Sequence, residues 1–236
     1  MSTNEKIHSG HRQRLKKRFL EEGLDHFDDH QVLELLLFYC IPRQDTNPIA
    51  HALLEHFGSL AQVMEATPAE LQKIEGMGES SAAFLALLNA FCRYYFVRRT
   101  SSGVSLNTIE QCGTYLIPFF YGRRNETVYL LCLDAKCKLL CCKEVGEGSV
   151  NSAAVPIRRI VEMALGANAT SVVLAHNHPS GMAIPSDEDQ LTTRKLAVAL
   201  SAVDIELVDH LVVADDDYVS MRQSHFYHPD ECRITV

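Results

Sequence analysis

His176 and His178 stand two residues apart at the end of the apolar run Ser171–Ala175 (SVVLA), and Asp189 follows further along the chain. In an extended strand alternate side chains share a face, so both imidazoles point the same way. Pro179, Ser180 and Gly181 turn the chain sharply. Pro185 and Ser186 open a helix with Asp189 in its first turn, and the return path is long enough to bring its carboxylate back over the histidines. Two imidazoles and one carboxylate leave one tetrahedral position open for water, which is the layout of a catalytic zinc site. Each half also has a plainer reading. Ser186 and Asp189 alone form an S-x-x-D capping box, and two histidines alone are common in loops. H-x-H, seven residues and S-x-x-D in sequence, directly after an apolar strand, is far more restrictive.

The elements around this segment alternate. Asn107 or Thr108 opens a helix to about Phe120, and Thr127–Leu133 reads as a strand paired through the turn at Asp134–Lys136 with Leu139–Val145. A helix over Val155–Ala167, the strand Ser171–Ala175, a helix over Pro185–Val203 and a strand over Ile205–Val213 complete an α/β or α+β domain. The preceding residues read as helical throughout: His11–Glu22, Asp29–Tyr39, Pro48 to Gly58 with Asn47 as cap, a start at Thr67-Pro68, and Ala82–Tyr95. Thr100–Gly103 is a linker by composition, so the sequence divides into a helical domain, 1–103, and a mixed domain, 104–236.

With 47% apolar and 22% charged residues the chain is globular. It has no apolar run long enough to span a bilayer and no secretory h-region, so no membrane association and a cytoplasmic location are expected. The eight cysteines contain no C-x-x-C pair and read as free thiols. Cys137, Cys141 and Cys142 match no common zinc framework. The net charge of −8 opposes sequence-independent grip on nucleic acid. Residues 1–103 carry −2 of it and the remainder −6, so any DNA contact is weak and falls in the first half. There, Leu71, Ile74, Gly76, Met77, Gly78 and Ala82 fit a helix-hairpin-helix, in which Gly76 and Gly78 could expose amides to a phosphate. Glu75 and Glu79 oppose that anion, and a purely structural hairpin is the competing reading. The basic residues available are Arg12, Arg14, Lys16, Lys17 and Arg18, with Arg98 and Arg99, which serve equally as solvated helix faces.

H-x-H-x(7)-S-x-x-D matches the JAMM motif of MPN-type metalloproteases without a gap, and H-N-H-P-S-G with P-S-x-x-D resembles the RadC branch. N-E-T-V-Y-L-L-C-L-D-A-K, the G-S-V-N-S stretch, L-V-D-H-L-V-V at 207–213, I-E-G-M-G and Arg43–Pro48 are similar to it too. Only His225–Val236 has no place in the pattern. The resemblance implies a cytidine-deaminase-like mixed sheet flanked by helices and a zinc-dependent peptidase or isopeptidase acting through a zinc-bound water. It implies a glutamate base, for which Glu126 before its strand is the first candidate and Glu144 on the partner strand the rival. Ser186 would donate to the oxyanion, and Asp209 or His210 would support the ligands from behind. The competing class is a non-catalytic, DNA-associated adaptor whose metal only staples the fold.

Overall fold

The structure, a computed structural model, describes residues 3–99, 104–148 and 156–232. The linker Thr100–Gly103, most of the G-S-V-N-S stretch and residues 233–236 lie outside the described residues. The chain forms two compact units, Met1–Cys92 and Arg93–Val236.

The first unit is all helical: α1 (Thr3–Glu22), α2 (Asp29–Cys40), α3 (Asn47–Phe57), α4 (Leu60–Glu65), α5 (Pro68–Leu71) and the first part of α6 (Glu79–Arg99). Its core gathers Leu33, Leu37, Ile49, Leu53, Val63, Leu71 and Leu85. Thr67 closes a capping box with Glu70, and Pro68 sits in the first turn, where its missing amide is harmless. Thr46, not Asn47, precedes α3, because Asn47 is already helical and its amide points at Asp45 Oδ1 at 3.1 Å.

The sequence places the division after Gly103. The compact units part earlier, within α6, because its last turns belong to the second unit's packing. Arg93 donates to the Tyr121 carbonyl at 3.3 Å, the Phe96 ring lies 6.3 Å from that of Tyr121, and Val97 packs on the second core.

In the second unit α7 (Ile109–Phe120) leads into β1 (Glu126–Leu133), β2 (Leu139–Gly148), α8 (Ile157–Gly166), β3 (Ser171–Asn177), α9 (Asp187–Ser201), β4 (Glu206–Ala214) and β5 (Asp217–Ser220). The sheet order is β2-β1-β3-β4-β5. Only β3 and β4 run parallel, joined through α9; the other neighbours are antiparallel. Helices cover both faces, which is why β1 and β3 read as unbroken apolar runs. Val128, Leu130, Val172, Leu174 and Val212 lie in one core with α8 and α9. Tyr129, Leu131, Val173, Ala175 and Leu211 lie in the other with α7. Tyr227, beyond the pattern readable in sequence, is buried in the first core and donates to the Leu207 carbonyl at 2.8 Å. The cysteines are all free, and burial pushes the Cys132 thiol up to about 12, so it fills space as a neutral thiol. Among the described residues no helix is long and apolar enough to cross a membrane.

Candidate metal centre

β3 continues through His176 to Asn177, and the His178 amide then donates to the Val213 carbonyl at 2.8 Å, extending the pairing with β4 by one residue. The strand alternation therefore holds across H-x-H, and the two rings meet with their Nε2 atoms 3.0 Å apart. Ser186 caps α9, with Asp189 as the third residue of its first turn. Asp189 Oδ1 lies 3.3 Å from His176 Nε2, and Oδ2 lies 3.6 Å from His178 Nε2. Glu126, the first residue of β1, brings Oε1 to 3.9 Å from His176 Nε2. One ligand atom from each of Glu126, His176, His178 and Asp189 lies within 4.8 Å of all the others, so the four can hold a metal ion.

The cluster is built half in and half out. The His176 side chain is 2% exposed, whereas Glu126 is 24% exposed, which leaves one flank open to solvent. Burial drives the His176 imidazole down to about 4, a neutral ring with a free lone pair at neutral pH. His178 moves the other way, chiefly through its polar contact with the Asp189 carboxylate, which favours the charged ring. Burial alone would raise the Asp189 carboxyl, but His178, the neighbouring His176 and Ser186 together hold it well below the carboxylate range. Glu126 is raised, first by burial and then by the nearby Asp189 charge.

The supporting contacts distinguish the sequence candidates. His178 Nδ1 donates to the Met182 carbonyl at 2.9 Å, which leaves its Nε2 free to face the cluster. His210 lies behind His176, Nε2 to Nδ1 at 2.8 Å. Asp209 does not join them. It accepts from the Arg222 amide at 3.0 Å and from the Ser220 hydroxyl, tying β4 to the end of β5 on the other side of the strand. Glu144 is also elsewhere, held by Arg123 at 2.6 Å and by the Tyr129 hydroxyl at 3.0 Å. Ser186 donates its hydroxyl proton to Asp189 Oδ2 at 2.6 Å, so here it orients the carboxylate.

Two residues that matter here escaped sequence reasoning. Asn177, between the histidines and 5% exposed, accepts from the Thr127 amide at 2.8 Å and donates to the Asn125 carbonyl at 3.2 Å. Its amide thus grips the backbone on both sides of Glu126. Thr193, fully buried on α9, touches His210 at 2.6 Å. The signal for each was a polar residue at a position that the strand or helix period assigns to the interior.

The helix-hairpin-helix residues form their turn, in which the Gly78 amide is already engaged. Gly76 has φ +88, and a Cβ there would come within 2.7 Å of Ile49. The Gly78 amide donates to Ser81 Oγ at 2.9 Å. Of the basic residues, Arg12 donates to the carbonyls of Ile41, Pro42 and Gln44, Lys16 lies over the Tyr39 ring, and Arg18 donates to Glu22 and the His26 carbonyl.

Residues 106–226 match the family described as RadC-like JAB domain, and residues 8–83 match the UPF0758 N-terminal family. A UPF0758 protein of Fusobacterium nucleatum is 32% identical over 224 residues, spanning 92% of this chain and 97% of its own. One from Herminiimonas arsenicoxydans is 34% identical over 211 residues, 89% of this chain and 94% of its own. Another from Paraburkholderia phytofirmans is 35% identical over 209 residues, 89% of this chain and 81% of its own. Matched over both its units, and with the histidines and acids of its JAB segment gathered at one point, this chain belongs to the UPF0758 family of RadC-like JAB-domain proteins.

Proposed function

We propose that the chain is a zinc-dependent hydrolase of amide bonds, a peptidase or isopeptidase, with His176, His178 and Asp189 as metal ligands and Glu126 as the proton-transferring base. The observation that carries this reading is the spacing of the cluster. Ligands about 2.0–2.1 Å from one tetrahedral zinc lie roughly 3.3 Å from one another. The two Nε2 atoms stand 3.0 Å apart, and each has an Asp189 oxygen near that edge, Oδ1 at 3.3 Å from His176 and Oδ2 at 3.6 Å from His178, while Glu126 stands back at 3.9 Å from His176. The donor chemistry fits as well: two imidazoles present lone pairs to each other beside a carboxylate, an arrangement that calls for a cation.

Zinc bound here would supply Lewis acidity, activating a water and polarising the scissile carbonyl. The residues of the chain supply the rest. Asn177 fixes the backbone around Glu126, so the carboxylate is aimed before substrate arrives. Its raised pKa brings it closer to the working range of a base that takes a proton from water and returns it to the leaving amine. Ser186 would turn its hydroxyl from Asp189 to the oxyanion as charge develops there. The exposed flank at His178 and Glu126 admits the substrate. That same flank favours hydrolysis over an adaptor with a stapling metal, since a structural zinc site is closed by four protein ligands. Any DNA contact belongs to the first unit and is weak.

The test is a cleavage screen of the zinc-loaded full chain against peptide and isopeptide bonds. Cleavage should stop on chelation and return with zinc. Glu126→Gln should keep its zinc and lose about 10²–10⁴-fold in rate, whereas Glu144→Gln should be mild. Cleavage that survives chelation, or that Glu126→Gln leaves intact, would overturn the reading.

A further inference from the structure

Behind His176 runs a buried chain of contacts that ends on the backbone of another ligand. His176 Nδ1 lies 2.8 Å from His210 Nε2, His210 Nδ1 lies 2.6 Å from Thr193 Oγ1, and Thr193 Oγ1 lies 2.5 Å from the Asp189 carbonyl oxygen. His176, His210 and Thr193 are 2%, 2% and 0% exposed, so no bulk water competes for these groups.

The protons can be placed from the far end. A carbonyl oxygen only accepts, and two oxygens 2.5 Å apart need a proton between them. The Thr193 hydroxyl therefore donates to Asp189. Its other neighbour, Met221 Sδ at 3.6 Å, is a weak acceptor and does not compete. Having used its proton, Thr193 Oγ1 can only accept from His210, so His210 Nδ1 carries the hydrogen. The His210 ring is flanked by two neutral partners and carries a single proton, which leaves a lone pair on Nε2. His176 Nδ1 must then donate to it, and the His176 lone pair is fixed on Nε2, the atom that faces His178 and Asp189.

We propose that Thr193 and His210 are positioning residues that hold His176 in its metal-ligating tautomer, and that the Asp189 main chain is the anchor of this relay. Asp189 then acts twice, its carboxylate toward the metal and its carbonyl toward the tautomer of a second ligand. Docking of α9 on β4 and readiness of His176 are one event. This proposal rests on the metal reading above, but the tautomer it specifies exists without metal.

The experiment compares the full-length chain with Thr193→Val, which keeps the shape and loses the hydroxyl, and with Thr193→Ser, which restores it. In chelator-treated protein, imidazole ¹⁵N chemical shifts should show His176 protonated on Nδ1 and bare on Nε2 in the parent and in Thr193→Ser, and not in Thr193→Val. In a competition with a chromogenic chelator, Thr193→Val should bind zinc about 10–100-fold more weakly, with Thr193→Ser close to the parent. A parent His176 protonated on Nε2 would overturn the relay even if every variant failed to fold. So would zinc affinity unchanged in a folded Thr193→Val. A parent with the expected tautomer that takes up no zinc would support the relay and sink the metal reading instead.

Discussion

The two units each set a carboxylate beside a histidine, and they do opposite things with it. In the first unit Glu34, 1% exposed, meets His11 Nε2 at 2.9 Å and accepts from Asn47 at 3.3 Å, while the Thr46 hydroxyl donates to its backbone carbonyl at 3.5 Å. Acceptors meet donors there, and the group ties α1, α2 and α3 together. In the second unit the acceptors of His176, His178 and Asp189 converge on one another. Their donors are aimed outward at Met182 and, through His210, at Thr193. A network that satisfies itself is architecture, and one whose lone pairs converge is built for something that brings positive charge. The same distinction separates the hairpin turn, where Ser81 takes up the Gly78 amide, from a phosphate site that would leave its amides bare.

The strongest way to break this contrast is to remove a converging ligand. His176→Ala or His178→Ala should take bound zinc from about one ion per chain to background, and full zinc in both variants by elemental analysis would show that the convergence is accidental.

Next in size is the pH response of the chelated protein. The His176 imidazole is held at about 4 against 6.5 when free, so between those values the unfolded chain binds the proton and the folded chain does not. Stability should therefore rise with pH across that window and fall away as pH drops through it. His176 alone contributes on the order of 3 kcal/mol at about 1.4 kcal/mol per pH unit. Within that window the Glu126 and Asp209 carboxyls, both shifted upward, offset part of it, whereas the upward shift of His178 acts above it. Denaturant midpoints that stay flat from pH 6.5 to 4 would contradict the buried neutral ring.

Glu34→Ala sharpens the comparison from the other side. It strands the Asn47 donor and should cost about 1–3 kcal/mol in denaturant unfolding, with zinc content unchanged. A loss of zinc in this variant would mean that the two networks are not independent. The smallest effect is expected for DNA. The full chain should bind duplex no better than the non-specific range of about 10⁻⁴–10⁻⁶ M at physiological salt, weakening further as salt rises. Tight binding lost on a substitution at Gly78 would return the hairpin to the list of functional sites.

The cluster of His176, His178 and Asp189 was legible because its signal is local. A strand period followed by a capping box places all three within one short segment. Glu126 needed the resemblance, since nothing local separates it from Glu144, and only the β1–β3 register carries one to the histidines and leaves the other with Arg123. Asp209 and His210 are not separable in sequence for the same reason: adjacent strand residues face opposite ways, and the sequence does not say which face is which. β5 went unread because four residues, Asp217–Ser220, carry too little pattern. The early division of the units was hidden because α6 continues through it without a break in helical sequence.

The grip of Asn177 on the backbone around Glu126 spans 50 residues of chain. Histidines and aspartate sit close together in sequence and can approach one another as soon as β3 and the start of α9 form. The glutamate reaches them only after β1 has found β3, a contact that carries the entropy of closing a long loop. A chain leaving the ribosome exposes Glu126 well before its partners exist. On the proposed reading, metal capture and catalytic competence would be separate stages of folding, and a half-folded molecule holding the ion would still lack its base.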